Sequence, residues 1–432
     1  MKDPEEPRPQ AGDRVTLEVE SLLPSGEGVC GRTRIAGAFP GERVVARVDH
    51  VGKHATFATT LEVKRGRVGR RLPPCPRHVD AKDGRCTGCA LMALEEADQR
   101  ALLREMLLAQ YRLEVGELVA APKSLGYRWS AKRIAFGGPG NLRLGSFMRG
   151  TNRPADMKGC LVDHPLIAAA ADELAEAARD LGIAAHDEER KRLGLRAVWL
   201  RTNAREVLAT LVTSEANEDE LRRLSPRLTL CDGLTVCFHR EGGNALRGAD
   251  AMLIRGLEAL DVHGTQIGPL GFLQPNPEVA EQMYDELVDG IDGGRVLDLY
   301  AGSGATTRRL GALAGEVLPC ESHPEAARSL GVEAETAEAF LARQTDAPDA
   351  VVANPPRKGL GTLVTRELLR LLPARIQVMA CGPAGLAQDI AALAGGYRLE
   401  SLRAYDSLPQ TPHVELIAKL VRIRKMDCCV TL

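Results

Sequence analysis

The residues best suited to chemistry lie beside short apolar runs in the last third of the chain. Cys381 and Asn354 each follow an apolar run that is typical of a buried strand, and Glu415 precedes another. Functional groups at the carboxyl ends of strands meet where open α/β sheets bind ligands, and a loop could bring Glu415 alongside. A thiolate can act as a nucleophile and a carboxylate as a base, which predicts covalent, base-assisted catalysis. The alternatives are a core cysteine and a solvated acid.

Four cysteines form a second chemical set. Cys75, Cys86, Cys89 and Cys160 follow the spacing C-x10-C-x2-C-x70-C. Four thiolates suit either a tetrahedral zinc ion or a four-iron cluster. Structural zinc sites favour two close pairs, whereas this set has three cysteines on one segment and a distant fourth. The spacing favours a [4Fe–4S] cluster over zinc, and unliganded thiols are the remaining alternative.

Residues 295–307 predict a nucleotide-binding corner made of a strand, a glycine turn and a helix. Gly302 and Gly304 would let the backbone approach a ligand closely. Glu321 ends the next apolar run at the distance from which a carboxylate grips ribose hydroxyls. The third small residue of the dinucleotide pattern G-x-G-x-x-G/A is missing. Asp298 and the looser turn therefore favour S-adenosylmethionine over NAD.

Composition limits the class of protein. A chain of 432 residues is expected to form two or three domains, and 44% hydrophobic residues can fill their cores. The net charge of −2 gives no global sign of nucleic-acid binding. We expect a cytoplasmic protein, because the sequence has neither a signal peptide nor a run of about 18 apolar residues. Its eleven cysteines are then better candidates for ligands or nucleophiles than for disulfides.

The apolar pattern divides the chain into a tail and three predicted domains. Short alternating strands are predicted at residues 14–20, 34–38, 42–48 and 55–63. Together they indicate a small β-barrel, and residues 21–29 and 37–42 resemble the OB-like TRAM domain. Amphipathic helices at 91–114 and 167–181, with alternating strands after them, predict an α+β domain. The predicted parts are a disordered tail at 1–11, the barrel at 12–70, the α+β domain with the cluster at 71–270, and a Rossmann-like α/β domain at 271–432.

Basic residues concentrate in two segments. Residues 64–71 form a basic linker next to the barrel, a plausible phosphate contact. Residues 123–160 mix bases with aromatic residues, which favours RNA contact over a solvated face. The members of this second set are Lys123, Arg128, Lys132, Arg133, Arg143, Arg149, Arg153 and Lys158, with Tyr127, Trp129, Phe136 and Phe147 between them.

Three motifs carry a resemblance to a known family. Residues 406–415 match its late motif D-x-F-P-[QHY]-[ST]-x-H-x-E with Leu408 in place of Phe, and residues 354–359 match [DN]-P-P-R-x-G. Around Cys381 the pattern S-C-N-x-x-T is altered, since Gly382 and Gly385 replace Asn and Thr. The sequence resembles the RNA uracil-C5-methyltransferases, and especially the 23S ribosomal RNA branch with a TRAM barrel and an iron–sulfur cluster. The resemblance covers nearly the whole chain.

This resemblance implies roles for residues at the sheet edge. Cys381 would attack C6 of uracil and Glu415 would remove the C5 proton. The donor or the target base would be contacted by Gln274, Tyr300, Glu321 and Asn354. A thiolate that forms near neutral pH suggests an electropositive site with a lowered Cys381 pKa.

The expected protein is a monomer that binds S-adenosylmethionine, a [4Fe–4S] cluster and RNA, with 23S ribosomal RNA as its target. Two rival functions remain. Asn354-Pro-Pro is similar to the N-P-P-[YF] motif of amino-methyltransferases. The altered residues around Cys381 would also fit a cluster-bearing RNA-binding protein without catalysis.

Overall fold

The computed structural model describes residues 9–81, 84–213, 218–239 and 251–423. Most of the predicted tail at 1–11 therefore lies outside the described residues. The chain forms two compact units. Unit 1 comprises Met1–Leu102, Lys123–Asn276 and Pro409–Pro412, and unit 2 comprises Leu103–Pro122, Pro277–Leu408 and His413–Leu432. The domain boundaries given above stay predictions.

The first sheet of unit 1 curls into a barrel-like shape. Its strands are β1 (Arg14–Glu18), β2 (Ser21–Leu22), β3 (Gly28–Cys30), β4 (Thr33–Ala36), β5 (Arg43–Val51) and β6 (Thr56–Arg65). Their order is β1-β5-β6-β4-β3-β2. β1 and β2 lie at opposite edges although two residues separate them, so the edges must approach each other. The enclosed core consists of Val19, Ile35, Ala38, Val44, Ala46 and Ala58.

A helix follows the barrel, and it is shorter than the periodicity predicted. Residues 91–114 were expected to be helical, whereas α1 spans Glu96–Tyr111. Glu96 and Asp98 lie in its first turn, where their negative charges interact favourably with the helix dipole. Arg112 adopts a left-handed conformation with φ 55° and ends the helix. The apolar residues before Glu96 are buried in turns instead.

The second sheet of unit 1 is the centre of an α+β layer. Its strands are β7 (Ser130–Phe136), β8 (Arg143–Phe147), β9 (Pro154–Asp156), β10 (Ala197–Thr202), β11 (Val207–Thr213), β12 (Gly233–Phe238) and β13 (Ala251–Gly256), in the order β13-β12-β11-β10-β7-β8-β9. The helices here are α2 (Pro165–Asp180) and α3 (Glu218–Leu224). Ile167, Leu174 and Ala178 of α2 pack with Val198 and Leu200 in its core. A hairpin of β14 (Leu260–Val262) and β15 (Thr265–Ile267) follows.

Unit 2 contains the predicted Rossmann-like sheet. Its strands are β16 (Arg295–Leu299), β17 (Glu316–Cys320), β18 (Ala350–Ala353), β19 (Arg375–Ala380), β20 (Tyr397–Tyr405) and β21 (Glu415–Arg422). Their order is β17-β16-β18-β19-β21-β20, with β16–β19 parallel and β21 antiparallel. The helices are α4 (Pro277–Val288), α5 (Ala305–Leu310), α6 (Pro324–Leu330), α7 (Ala337–Ala342), α8 (Gly361–Leu371) and α9 (Pro383–Leu393). This architecture confirms the predicted fold class.

None of the helices in the part of the chain that the structure describes has the length and apolar character needed to span a membrane.

Candidate active site and cysteine cavity

Strand pairing in unit 2 brings Cys381 and Glu415 together. β19 and β21 run antiparallel, with Ala380 opposite Leu416. One further step along this register places Cys381 beside Glu415. Asn354 follows β18, the parallel neighbour of β19, so it lies at the same sheet edge. The structure therefore assembles the three residues that the sequence predicted at strand ends, and their roles stay predictions.

Arg357 joins this group although the sequence did not assign it a role. Its positive charge acts electrostatically on both Cys381 and Glu415 and favours their ionised forms. A β-carbon on Gly382 would lie 2.1 Å from the Arg357 carbonyl oxygen, and one on Gly385 would lie 2.7 Å from the nitrogen of Gly359. Both glycines replace larger residues of the family pattern. Their small size lets the loop that carries Arg357 pack directly against the start of α9.

The charges at this edge are not those expected from the sequence. Burial raises the pKa of Glu415 to about 7, although the nearby Arg357 favours its ionised form. Burial and the neighbouring Glu415 raise the pKa of Cys381, while Arg357 opposes them. The prediction of a lowered thiol pKa is therefore wrong for this state of the site. Desolvation of the half-buried sulfur and the neighbouring carboxyl both raise the Cys381 pKa, and together they outweigh the opposite effect of one guanidinium.

The glycine turn after β16 has the geometry of a nucleotide-binding corner. Gly302 and Gly304 adopt left-handed conformations with φ 57° and 81°, which side chains rarely tolerate. The Gly302 N–H donates to Glu321 Oε2 at 2.9 Å. Tyr300 is also left-handed, with φ 59°, and this strain at a turn suits a binding site. The predicted carboxylate thus lies against the predicted glycine turn.

Asp298 has a structural contact that the sequence did not reveal. It is buried in β16 and accepts a hydrogen bond of 2.6 Å from Thr307 Oγ1 in α5. Burial raises its pKa to about 7, although the Thr307 bond lowers it. Asp298 therefore ties the strand to the helix across the glycine turn and helps to fix the position of Gly302.

Asp389 is a site-supporting residue that sequence reasoning missed. It is a buried carboxylate in α9 that accepts backbone N–H groups of Leu360 at 2.7 Å and Gly361 at 3.2 Å. These bonds anchor the end of the loop that begins at Asn354. An aspartate in an amphipathic helix gives no local signal of such a contact.

Gln274 lies in unit 1, whereas the other predicted donor-site residues lie in unit 2. It is half-buried in the segment between β15 and α4. The adjacent Pro275 accepts a hydrogen bond of 2.7 Å from the N–H of Trp129 through its carbonyl oxygen. The role of Gln274 in binding the donor stays a prediction.

The four predicted ligand cysteines meet in one cavity of unit 1. Cys75, Cys86, Cys89 and Cys160 line it together with apolar groups of Met92, Met157, Leu161 and Val162. None of the four forms a disulfide within the described residues. Burial, then repulsion by Cys160, raises the pKa of Cys89 to about 12. Such thiols would ionise only with a compensating positive charge.

The arrangement does not fit the direct ligation of one ion. No group of three or more His, Cys, Asp or Glu side chains among the described residues is placed to hold a metal ion. The four cysteines share one cavity, and the group that they bind stays a prediction.

Much of the predicted basic patch at 123–160 has a structural role. Tyr127, Trp129 and Arg133 are buried, with exposed fractions of 2%, 8% and 3%. Arg133 pairs with the buried Asp163, and the Tyr127 hydroxyl donates to the Pro409 carbonyl oxygen at 2.9 Å. The interpretation as an RNA contact is therefore wrong for these three residues. Periodicity alone could not distinguish them from exposed neighbours.

Two arginines at the end of the basic linker also pair within the fold. Arg70 Nη1 lies 2.6 Å from the fully buried Glu42, and Arg71 pairs with Glu95 and Glu96 at 2.9 and 3.0 Å. These ion pairs anchor the end of the linker. Arg70 and Arg71 therefore serve the fold, and their charges are not free to contact a phosphate.

The fold and the sheet-edge geometry define a class, the Rossmann-like S-adenosylmethionine-dependent methyltransferases. No protein-family model matches the chain. A solved structure with a similar fold is the Pyrococcus abyssi tRNA (uracil-54, C5)-methyltransferase in complex with S-adenosyl-L-homocysteine. The TM-score is 0.76 at 24% identity, over 94% of this chain and 99% of that chain.

Relatives by sequence define the family more closely. The chain is 30% identical to an uncharacterized RNA methyltransferase of Geobacter sulfurreducens, over 96% of this chain and 91% of the relative. It is also 30% identical to an uncharacterized RNA methyltransferase of Gloeobacter violaceus, over 95% of this chain and 97% of the relative. The chain belongs to the same family as these RNA methyltransferases and is an S-adenosylmethionine-dependent RNA methyltransferase.

Proposed function

We propose that the protein forms 5-methyluridine in RNA through a covalent adduct between Cys381 and C6 of uracil. The observation that carries this proposal is the juxtaposition of Cys381, Glu415 and Arg357 at one sheet edge. Amine methylation needs neither a thiol nor a base next to it. This trio therefore favours carbon methylation over the amino-methyltransferase alternative, and over a protein that only binds RNA.

Each residue of the trio has a distinct task. The Cys381 thiolate adds to C6, which makes C5 enolate-like, and bound S-adenosylmethionine supplies the methyl group that C5 takes. Glu415 then removes the C5 proton, and the C6–S bond breaks to return the thiolate. A carboxyl with a pKa of about 7 is matched to base catalysis near neutral pH. Arg357 stabilises the thiolate with its positive charge.

The donor would bind at the glycine turn. Glu321 already accepts the Gly302 N–H with one oxygen, which orients its carboxylate beside the turn. Tyr300 and Gly302 would line the donor site, and Asn354 would read the target base. An amide can both donate and accept, which suits the N3–H and O4 edge of uracil.

Transfer from labelled donor to RNA of a deletion strain tests the reaction. After digestion to nucleosides, the label should appear in 5-methyluridine with wild-type protein and disappear with Cys381→Ala. Label in an N-methylated nucleoside that persists in Cys381→Ala would instead establish amine chemistry at Asn354. Absence of transfer with the wild-type protein would favour the non-catalytic alternative.

We propose 23S ribosomal RNA as the substrate, as the resemblance implies. A second candidate is tRNA, because the similar Pyrococcus abyssi fold belongs to an enzyme described as acting on uracil-54 of tRNA, and 99% of that chain is covered. Because a fold that is similar over nearly the whole chain belongs to that enzyme, the fold of this protein is compatible with a tRNA target. Mapping the methylated nucleotide separately in ribosomal RNA and tRNA from a deletion strain distinguishes the two.

We also propose that the cysteine cavity holds a [4Fe–4S] cluster. Cys75, Cys86, Cys89 and Cys160 would be its ligands, and bound iron would favour their thiolate forms. Burial raises the pKa of the Cys86 thiol, and the nearby Arg133 acts electrostatically against this rise. Anaerobically purified protein should contain about four irons per chain and lose them in Cys160→Ala. Stoichiometric zinc without iron would refute this assignment.

A further inference from the structure

The segment that carries three of the cavity cysteines also carries two arginines beside them in sequence. Arg77 lies two residues after Cys75, and Arg85 directly precedes Cys86. The N–H groups of Arg85 and Cys86 both donate to the Arg77 carbonyl oxygen, at 3.0 and 2.7 Å. These bonds hold the two arginines next to each other. The fold of the cysteine segment thus fixes the backbone positions from which both arginine side chains extend.

These arginines line a second cavity, which we call the arginine pocket. Arg77, Arg85 and Arg143 line it together with Phe136 and Asp156. Its volume is about 360 Å³, within the range of about 300–1,000 Å³ that small-molecule sites occupy. Phe136 ends β7 directly opposite Arg143 of β8. The aromatic ring and one guanidinium are therefore carried by rigid paired strands.

The guanidinium groups of the arginine pocket make few close contacts with the described residues, so many of their N–H donors are available for a ligand. Arg77 has only long contacts, 3.4 Å to the Lys158 carbonyl oxygen and 3.9 Å to Asp156. Arg143 reaches Asn141 Oδ1 at 3.3 Å. The Arg85 side chain makes no hydrogen bond or ion pair with any other residue that the structure describes. Since each guanidinium has five N–H donors, three of them against one carboxylate favour an anionic ligand.

Further positive charge extends this surface. Arg143 and Asp156 also line an adjoining cavity, whose other charged residues are the bases Arg133, Lys158 and Arg179 and the acid Asp172. A ligand with one phosphate would need only the arginine pocket. A chain of phosphates could continue past Arg143 towards Lys158, so a polynucleotide fits the charge distribution better than a free anion does.

We propose that the arginine pocket binds one unstacked nucleotide of single-stranded RNA, other than the nucleotide that is methylated. The guanidinium groups of Arg85 and Arg143 contact its phosphate, and its base stacks against Phe136. The half-buried ring suits an unstacked base, whereas a paired base within a duplex could not enter a cavity of this size. The proposal rests on the RNA substrate of the family and not on the roles of Cys381 and Glu415.

The arginine pocket also suggests what the cysteines do for RNA recognition. Arg77 lines both the cysteine cavity and the arginine pocket, and Met157 and Asp156 are adjacent in the wall between them. Whatever Cys75, Cys86, Cys89 and Cys160 hold therefore also holds the arginine segment in place. Loss of that group should weaken RNA binding even though Cys381 is unchanged.

Binding of a single-stranded oligouridylate to the full chain, followed by fluorescence anisotropy at several salt concentrations, tests the proposal. Arg85→Ala with Arg143→Ala should reduce the magnitude of the salt slope by about 0.7 per lost phosphate contact. The matched control is Arg205→Ala with Arg222→Ala, two exposed arginines of unit 1, which removes the same charge. An unchanged slope in the first pair, or an equal change in both pairs, would overturn the proposal.

Two further variants test the other parts of the proposal: Phe136→Leu tests base stacking, and Cys160→Ala tests the link to the cysteine cavity. Phe136→Leu keeps the apolar packing and should still lower affinity about fivefold or more, the low end of base–aromatic stacking. Binding of an RNA duplex should not respond to this change, and an equal loss for duplex and single strand would exclude an unstacked nucleotide. Cys160→Ala should flatten the salt slope, while the barrel variant Cys30→Ala should leave it unchanged. A normal slope in Cys160→Ala would refute the structural link.

Discussion

Removal of the C5 proton should depend on pH through the ionisation of Glu415. Burial raises the pKa of Glu415 from 4.5 to about 7. A carboxyl with this pKa is about one-tenth ionised at pH 6 and about nine-tenths ionised at pH 8. The decay of the methylated protein–RNA adduct should therefore accelerate about ninefold across this range. An ordinary glutamate would be ionised at both pH values and would give a flat profile.

The assay must separate this step from the addition of Cys381, whose rate also depends on pH. Adduct formed at pH 6 is jumped to each final pH, and its disappearance is followed by rapid quenching and denaturing gel electrophoresis. Glu415→Gln should hold the adduct at every pH. The control is Glu400→Gln, which alters an acid that pairs with Arg375 on the surface and should keep the wild-type profile.

The same burial predicts a stability change with a definite sign. Because folding raises the pKa of Glu415, its contribution to stability is fully present below pH 4.5 and is lost as the pH rises through about 7. The shift of about 2.5 units corresponds to at most about 3 kcal/mol, since each unit is worth about 1.4 kcal/mol and the carboxyl keeps some contact with solvent. Glu415→Gln should therefore melt progressively higher than the wild type as the pH increases. A pH-independent adduct decay together with parallel melting profiles would refute the reasoning.

Three further predictions concern the Cys381 thiol and two buried hydrogen-bonded side chains, one in each unit. Glu415→Gln removes a charge that raises the pKa of Cys381, so iodoacetamide should alkylate this thiol faster at pH 8, and an unchanged rate would contradict the electrostatic contact. Asp389→Ala leaves two backbone N–H groups without their acceptor and should cost about 1–3 kcal/mol in thermal denaturation and lower methyl transfer, whereas unaltered melting would show that water replaces the carboxylate. Gln99→Leu removes partners of the buried Gln410 at 2.8 and 3.0 Å and should destabilise the protein by a similar amount, which chemical denaturation can measure against Gln110→Leu on the same helix.

Local patterns were sufficient to predict the sheet of unit 2. Apolar runs, a glycine turn and polar residues at strand ends are short-range signals, and the structure has strands at each of these runs. They also predicted that Cys381 and Glu415 would meet, because both flank strands of the same sheet.

The burial of charged groups could not be predicted in this way. Arg133 and Asp163 pair inside the α+β layer, and a basic residue among aromatic ones has the same local sequence in a core as on an RNA-binding face. The high pKa of Cys381 likewise depends on how completely neighbouring elements exclude water. Asp389 bonds to a loop almost 30 residues earlier, a contact that only tertiary packing defines. These features depend on three-dimensional packing rather than on periodicity.

Trapping with RNA that contains 5-fluorouridine tests the central claim most directly. Fluorine at C5 cannot leave as a proton does, so the methylated adduct should persist on a denaturing gel and need both donor and Cys381. Mass spectrometry of the digested adduct should locate the nucleotide on the peptide that contains Cys381, and Cys381→Ala should give no adduct while Cys237→Ala traps normally. An adduct on another cysteine, or none at all from a wild-type protein that forms 5-methyluridine, would contradict the assignment of Cys381 as the nucleophile.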